Sequence, residues 1–341
     1  MIPEEKRAVV ARALQEAFGV AEFEEIRRMT KGLSSDLVYR IVVRGLPYLL
    51  RVMTQINERM DPGRIFACMR AASDADLTPR VLHADTESGI SITDFVEEVP
   101  LMQAQALVLL PGVLRCLHAL PPFPKVFNYV MAHKLFIWRF RTAGLLAEGE
   151  IEEAFTGYEQ ICAAYPRLDA DMVSSHLDLK PENMLFDGQR IWLVDWQAGF
   201  VNDRYFDLAV AANYLVANGA DEAAYLESYF VRAADEYECA RFFLMRQALH
   251  LFSAAVFLLL GSAGKPVERS TNLPSFEEFH RRIWAGEVNL ADNAVKVECG
   301  MVHWERLHEN LRQVRFEESL RIVSSRHADE EEMRRLLPIA K

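Results

Sequence analysis

Positive charge is in short supply in this sequence: 38 lysines and arginines stand against 49 acidic residues, a formal net charge of −11. Counterion release from a phosphate backbone needs clustered Lys and Arg, so the composition argues against a nucleic-acid partner. It suits a cationic small molecule, and it also keeps a protein soluble. Cysteine is sparse as well. The five, at positions 68, 116, 162, 239 and 299, are scattered and include no CxxC pair, which speaks against a disulfide framework and against a zinc site. Long apolar runs are missing. The N-terminal stretch MIPEEKRAVVARALQEAF is charged and amphipathic, unlike a signal segment, and the most apolar stretch, 248–260, is too short to cross a bilayer and contains His250. A soluble, cytoplasmic protein without a membrane partner is expected. GxSxG, HExxH and Walker sequences are absent, as are internal repeats and low-complexity tracts.

What is present is the balance of a folded chain, 341 residues at 51% hydrophobic and 26% charged, enough for two lobes. Apolar residues at helical spacing over 4–18 end at Gly19. The texture then turns β-like. Segments 24–30, 36–44 and 47–53 are short β-branched or apolar runs, the last two joined hairpin-fashion through Arg44, Gly45 and Leu46. Pro62 and Gly63 introduce a helix over roughly 64–75, and 80–85 with 89–96 makes a second hairpin. After Pro100, three-to-four spacing predicts helices over 101–120, 134–146 and 151–165, helical patterns through 205–260, and helices again over 276–287 and 303–336. Two β-like pieces, 183–188 and 190–196, interrupt them around Asp187 and Gly188. The expected architecture is α+β and bilobal, with a small antiparallel β-sheet N-lobe over 1–96 and a larger α-helical C-lobe over 97–341.

The informative segment is SHLDLKPENMLF, 175–186, followed by IWLVDW, 191–196. Asp178, Asn183 and Asp195 fall at the ends of short apolar runs. The loop between Asp178 and Asn183 is too short to part them far, and the hairpin through Asp187 and Gly188 returns Asp195 beside them. Carboxylate and carboxamide oxygens together are hard-cation ligands, suited to magnesium holding a polyphosphate. A carboxylate left free of metal can receive a hydroxyl proton. HLDLKPEN resembles the catalytic loop of eukaryotic-like kinases, with LVDW in the place of their metal-binding DFG. The continuation over 195–209, DWQAGFVNDRYFDLA, resembles the choline/ethanolamine kinases, thiamine kinases and aminoglycoside phosphotransferases. These share the DW opening and a later D-x-x-x-D-L-A, matched by Asp203 and Asp207-Leu208-Ala209. The resemblance runs from about Arg27 to Leu260.

It implies a protein-kinase-like fold using ATP or GTP with Mg2+. Asp178 becomes the catalytic base or hydroxyl-orienting carboxylate, and Asn183 and Asp195 the magnesium ligands. His176 is then a structural residue of the loop, and Lys180 matches the lysine that approaches the transferred phosphate in protein kinases. Asp207 would brace the catalytic loop through backbone amides, and Asp203 would do likewise or cap the next helix. In the N-lobe, Gly32 to Asp36 resembles the small-residue turn that covers nucleotide phosphates, where Gly32, Ser34 and Ser35 would let backbone N–H groups approach oxygen. Arg51 stands where the family carries a Lys or Arg on the third strand, and its fork suits α- and β-phosphates. Asp94, Phe95 and Val96 look like the hinge whose main chain meets the base. One departure matters: the helix after Pro62 has no glutamate to hold Arg51 and no acid until Asp74, which leaves Glu58, Asp61 or no partner at all.

The acceptor implied is a hydroxyl of a small molecule. A cationic amino alcohol such as choline, ethanolamine or a thiamine-like compound comes first, and an aminoglycoside second. Gln197 stands where choline-type enzymes usually follow DW with Glu, which removes an acid from the region of the site. DLKPEN also prompts a protein kinase, but no APE sequence closes an activation segment. The missing helix acid suggests a pseudokinase or nucleotide-binding interaction module, against which the presence of Asp178, Asn183 and Asp195 together argues. Trp196, Tyr205, Tyr214 and Trp284 are either core aromatics or walls of a pocket that attracts a cation. His303 and His308, five apart on a helix, do not share a face well enough for a metal. Nothing in the sequence fixes an oligomeric state.

Overall fold

The computed structural model describes residues 2–29, 36–125, 129–166, 168–268, 270 and 272–336. Gly32, Ser34 and Ser35, expected over the phosphates, lie outside the described residues. The chain forms two compact units. The first is Met1–Leu101 with Arg115–Val126 and Val173–Val201, the second Met102–Leu114 with Phe127–Met172 and Asn202–Lys341.

In the first unit, α1 (Glu4–Phe18) precedes a five-stranded antiparallel sheet in the order β1-β2-β3-β5-β4. Its strands are β1 (Glu25–Met29), β2 (Leu37–Val43), β3 (Leu46–Val52), β4 (Val81–Asp85) and β5 (Ile90–Asp94), with α2 (Pro62–Asp74) between β3 and β4. Arg44 and Gly45 carry φ of 52° and 75°, the pair of positive values that a two-residue hairpin needs to match strand twist, and Val43 accordingly pairs with Leu46. Alternate residues of β2 and β3, Tyr39, Ile41, Val43, Leu50 and Val52, turn inward onto Val10 and Leu14 of α1 and onto Ile90 and Ile92. Helix α2 starts where Asp61 accepts the Gly63 N–H at 2.9 Å and Pro62 occupies the first turn. The loop-rich remainder runs from β6 (Met172–Ser175) through β7 (Met184–Phe186) and β8 (Ile191–Leu193) to β9 (Phe200–Asp203). The β7–β8 hairpin pairs Met184 with Leu193 and Phe186 with Ile191.

The second unit is helical: most of α3 (Gln103–His118), then α4 (Tyr129–Thr142), α5 (Glu148–Ala164), α6 (Arg204–Leu215), α7 (Gly219–Phe230), α8 (Glu236–Gly261), α9 (Phe276–Trp284), α10 (Asn293–Leu311) and α11 (Val314–Leu336). The helical region expected over 205–260 is thus three helices. α7 starts at Asn218, whose side chain accepts the Ala220 and Asp221 N–H groups, and α8 at the capping box of Asp235 with Glu238. The helix expected over 303–336 is likewise two, and α10 begins ten residues earlier behind its cap Asp292. Helix α8 is longer than the apolar stretch read from the sequence. By length and composition it could cross a membrane, but most of it is buried, as in a core helix. It packs so tightly on α10 that a Cβ on Gly300 would lie 2.7 Å from Leu258 Cγ.

Polar groups interrupt this core. Arg241 of α8 pairs with Asp171 and, at 2.9 Å, with Asp203, the cap of α6, and its guanidinium lies 4.4 Å from the Tyr205 ring centre. Burial raises the Asp203 pKa to about 6 against the pull of Arg241. His250 and His303 share a hydrogen bond between their Nδ1 atoms at 3.0 Å, and His280 Nδ1–H donates to the Phe276 carbonyl at 2.8 Å. Burial pushes all three imidazoles down, His280 to about 4, so they stand neutral. His308 turns instead to Glu153 at 2.9 Å.

Candidate active site

Leu177 and Asp195, neither a glycine, hold left-handed backbone at φ 64° and 69°. Such positions persist where the surroundings over-determine them, and these two flank the candidate site. His176 does much of this. Its Nε2–H donates to the Val194 carbonyl at 2.9 Å, its Nδ1 faces the Asp178 N–H at 3.4 Å, and its ring stands edge-on to Trp196 at 4.8 Å. The tautomer follows from those partners. Trp196 is buried, donates Nε1–H to Thr78 Oγ1 at 3.2 Å and meets Phe123 edge-on. It is a core residue, not a pocket wall.

The two loops meet as their spacing requires. Asp178 Oδ2 accepts from Lys180 Nζ at 3.0 Å and from Asn183 Nδ2 at 2.8 Å, and Asn183 Nδ2 also reaches the Asp178 carbonyl at 2.7 Å. The Val194 N–H donates to the Asn183 carbonyl at 3.0 Å, which sets Asn183 beside Asp195. Asp195 Oδ1 in turn accepts from Arg51 Nη2 at 3.0 Å. Burial works against the Asp195 charge, but Arg51 and Lys180 outweigh it and hold the pKa below the ordinary carboxylate range. Burial likewise opposes the Arg51 and Lys180 cations. Asp195 with Asp36, and Asp178 with Asp195, respectively hold them charged.

Neither Glu58 nor Asp61 pairs with Arg51. Glu58 is exposed, and Asp61 caps α2 and takes Lys125 at 2.9 Å. The acid is Asp36, whose Oδ2 accepts Arg51 Nε at 2.9 Å and Gln197 Nε2 at 2.8 Å while Oδ1 accepts the Thr54 N–H at 3.1 Å. Helix α2 contributes a base instead. Arg64, 2% exposed, donates to the carbonyls of Gly199 at 2.7 Å, Gln197 at 2.8 Å and Arg59 at 2.9 Å, and lies 4.0 Å over the Phe200 ring. Sequence reasoning missed Asp36 and Arg64 as site residues. Hairpin arithmetic contains the first: with Val38 opposite Arg51, Asp36 is the diagonal same-face neighbour.

Arg51, Asp178, Lys180, Asn183 and Asp195 are therefore brought together. Asp94 and Val96 stand apart. Asp94 ends β5, three residues along from Ser91, which pairs with Arg51; it binds Arg80 at 3.1 Å, and half-buried Val96 follows it. Among the described residues no group of three His, Cys, Asp or Glu could hold a metal. A carboxylate and a carboxamide whose nitrogen is spent on Asp178 fit magnesium that completes its shell with phosphates and water, and not an all-protein cage.

The model of the phosphotransferase enzyme family matches residues 25–243, from β1 into α8. The chain belongs to that family. This phosphotransferase is 25% identical to LicA of Haemophilus influenzae over 178 residues, 49% of this chain and 52% of that protein. The match thus spans about half the length of its curated relative. Among solved structures it resembles a choline/ethanolamine kinase family protein from Mesorhizobium loti, with a TM-score of 0.65 and 21% identity over 95% of this chain and 100% of that one. It also resembles the macrolide 2'-phosphotransferase of Brachybacterium faecium, with a TM-score of 0.56 and 18% identity over 84% and 98%. The chain has the α+β, protein-kinase-like fold expected from the 175–186 segment.

Proposed function

We propose that this phosphotransferase is an ATP- and magnesium-dependent kinase for a hydroxyl of a small molecule, with an amino alcohol as the first acceptor class. The observation that carries the reading is the Asp178 carboxylate, oriented through Oδ2 by Lys180 and Asn183, with its side chain 40% exposed beside the Asp195–Arg51 pair. Asp178 orients the acceptor hydroxyl and receives its proton. Asn183 Oδ1 and Asp195 would hold the ion, which supplies charge neutralisation on the polyphosphate. Arg51 and Lys180 would bind phosphate oxygens, and the main chain at Asp94–Val96 the base. GTP in place of ATP would meet the same contacts. An inactive scaffold is disfavoured, because the acid missing from α2 is supplied by Asp36.

Support for the acceptor class comes from the choline/ethanolamine kinase resemblance. The macrolide-kinase likeness favours an antibiotic acceptor as the second reading. The test is ATP consumption by purified protein with amino alcohols, sugars, nucleosides, aminoglycosides and macrolides. Turnover with amino alcohols is expected; turnover with antibiotics alone moves the assignment to the second reading. For a cationic acceptor on a chain of net charge −11, KM should rise with ionic strength at saturating Mg-ATP, screening acting over about 10 Å at 0.1 M. A flat response removes both cationic acceptor classes.

A further inference from the structure

The acid that grips Arg51 belongs to the sheet, at the foot of β2, and its side chain is only 1% exposed. A carboxylate so deeply buried needs donors around it. Thr54 N–H serves Oδ1, and Arg51 Nε and Gln197 Nε2 serve Oδ2. Gln197 follows Asp195 by two residues, on the 3-10 turn Trp196–Ala198. With Nε committed to Asp36, the plane of the guanidinium is set and its Nη2 end is directed at Asp195. It is thereby directed at the phosphate that a metal held there would carry. The identities at 36 and 197 constrain each other. A glutamate at 197 would set two carboxylates in hydrogen-bond contact, and an asparagine at 36 would turn donors of its own toward Arg51 and Gln197.

We infer that Asp36 and Gln197 form a matched acid–amide pair that positions Arg51 for the nucleotide phosphates, taking the place of the acid that α2 lacks and tying strand β3 to the turn behind Asp195. The inference rests on the kinase reading above. Both are positioning residues acting through Arg51, and the absence of an acid at 197 reflects the presence of one at 36.

A double-mutant cycle tests it, using Asp36→Asn, Gln197→Glu and the two combined, with Mg-ATP affinity by calorimetry, KM and kcat for turnover, and thermal melting to verify folding. Each single substitution is expected to raise the Kd and KM for ATP about ten- to a hundredfold, with kcat changed less, since a hydrogen bond to a charged group is removed or opposed. The double variant moves the acid from 36 to 197, where it can accept both from the new amide at position 36 and from Arg51. It should bind ATP at least about tenfold better than the product of the single effects. Should Gln197→Glu fail to fold, Gln197→Met removes the donor at similar length. Its ATP affinity should fall about tenfold with no rescue by Asp36→Asn. Single variants with wild-type ATP affinity, or a double variant as poor as the product of the singles, overturn the pairing and leave the kinase reading intact. Wild-type protein that binds no Mg-ATP overturns the kinase reading itself.

Discussion

Asp178 and Asp195 are seventeen residues apart and have different neighbours, which separates their expected phenotypes. Asp178 touches Lys180 and Asn183, so on the proposed reading Asp178→Ala should fold and bind nucleotide within about threefold of wild type while kcat falls by about two to four orders of magnitude, the range for loss of a positioned proton acceptor. Single-turnover assays beside calorimetry separate the two effects. On the proposed reading, Asp195→Ala should instead remove the magnesium dependence of ATP binding, because it would delete the charged ligand of a dication. ATP titrations with and without magnesium read this directly, and an unchanged dependence would mean that the turn is only structural. Much of this site was legible in the sequence, because Asp178, Asn183 and Asp195 are brought together by a short loop and a tight hairpin. Asp36 and Arg64 were not. Arg51 lies 15 residues from Asp36, Gln197 lies 161 from it, and Arg64 lies 135 from Gly199, distances that only the folded pairing closes.

Among the secondary-structure elements, what was readable followed how local each signal is. The β2–β3 hairpin and its turn stand within a residue or two of expectation, since alternation and a Gly turn are local facts. The break before α8 was missed because no glycine or proline marks it, only the cap Asp235; the break before α7 carries Gly219 behind its cap Asn218; and neither glycine nor proline marks 312–313, where α10 gives way to α11. The partners of Arg241 were out of reach altogether, lying 70 and 38 residues away. Arg241→Ala would leave Asp203 buried without its cation and Asp171 with Arg204 alone, at an expected cost of about 3–5 kcal/mol. Urea unfolding of the variant checks this; a loss below about 1 kcal/mol would show that the carboxylates re-pair or protonate at little cost.

For the whole molecule, the buried imidazoles shape the acid limb of stability. His250, His280 and His303 are neutral when folded and free to protonate below about 6.5 when unfolded, so the unfolded chain binds more protons as pH falls. Stability is therefore fully present above 6.5 and lost as pH drops toward about 4, the value for His280. His280 alone should account for about 2 kcal/mol of loss by pH 5. Urea melts at pH 7.5 and 5.0 should show that loss, and His280→Gln should shrink it by a similar amount. Equal pH dependence in the two proteins would acquit the imidazole.

The clasp made by Arg64 has a consequence for motion. A guanidinium enclosed between three carbonyls and an aromatic face cannot be pulled away a little at a time, because each bond lost leaves a charge without water to replace it. Helix α2 and the turn that carries Gln197 and Gly199 therefore travel together or not at all. A push on the solvent side of α2, at Arg70 or Asp74, should be felt at the turn that follows Asp195, through the Gln197 and Gly199 carbonyls that hold Arg64.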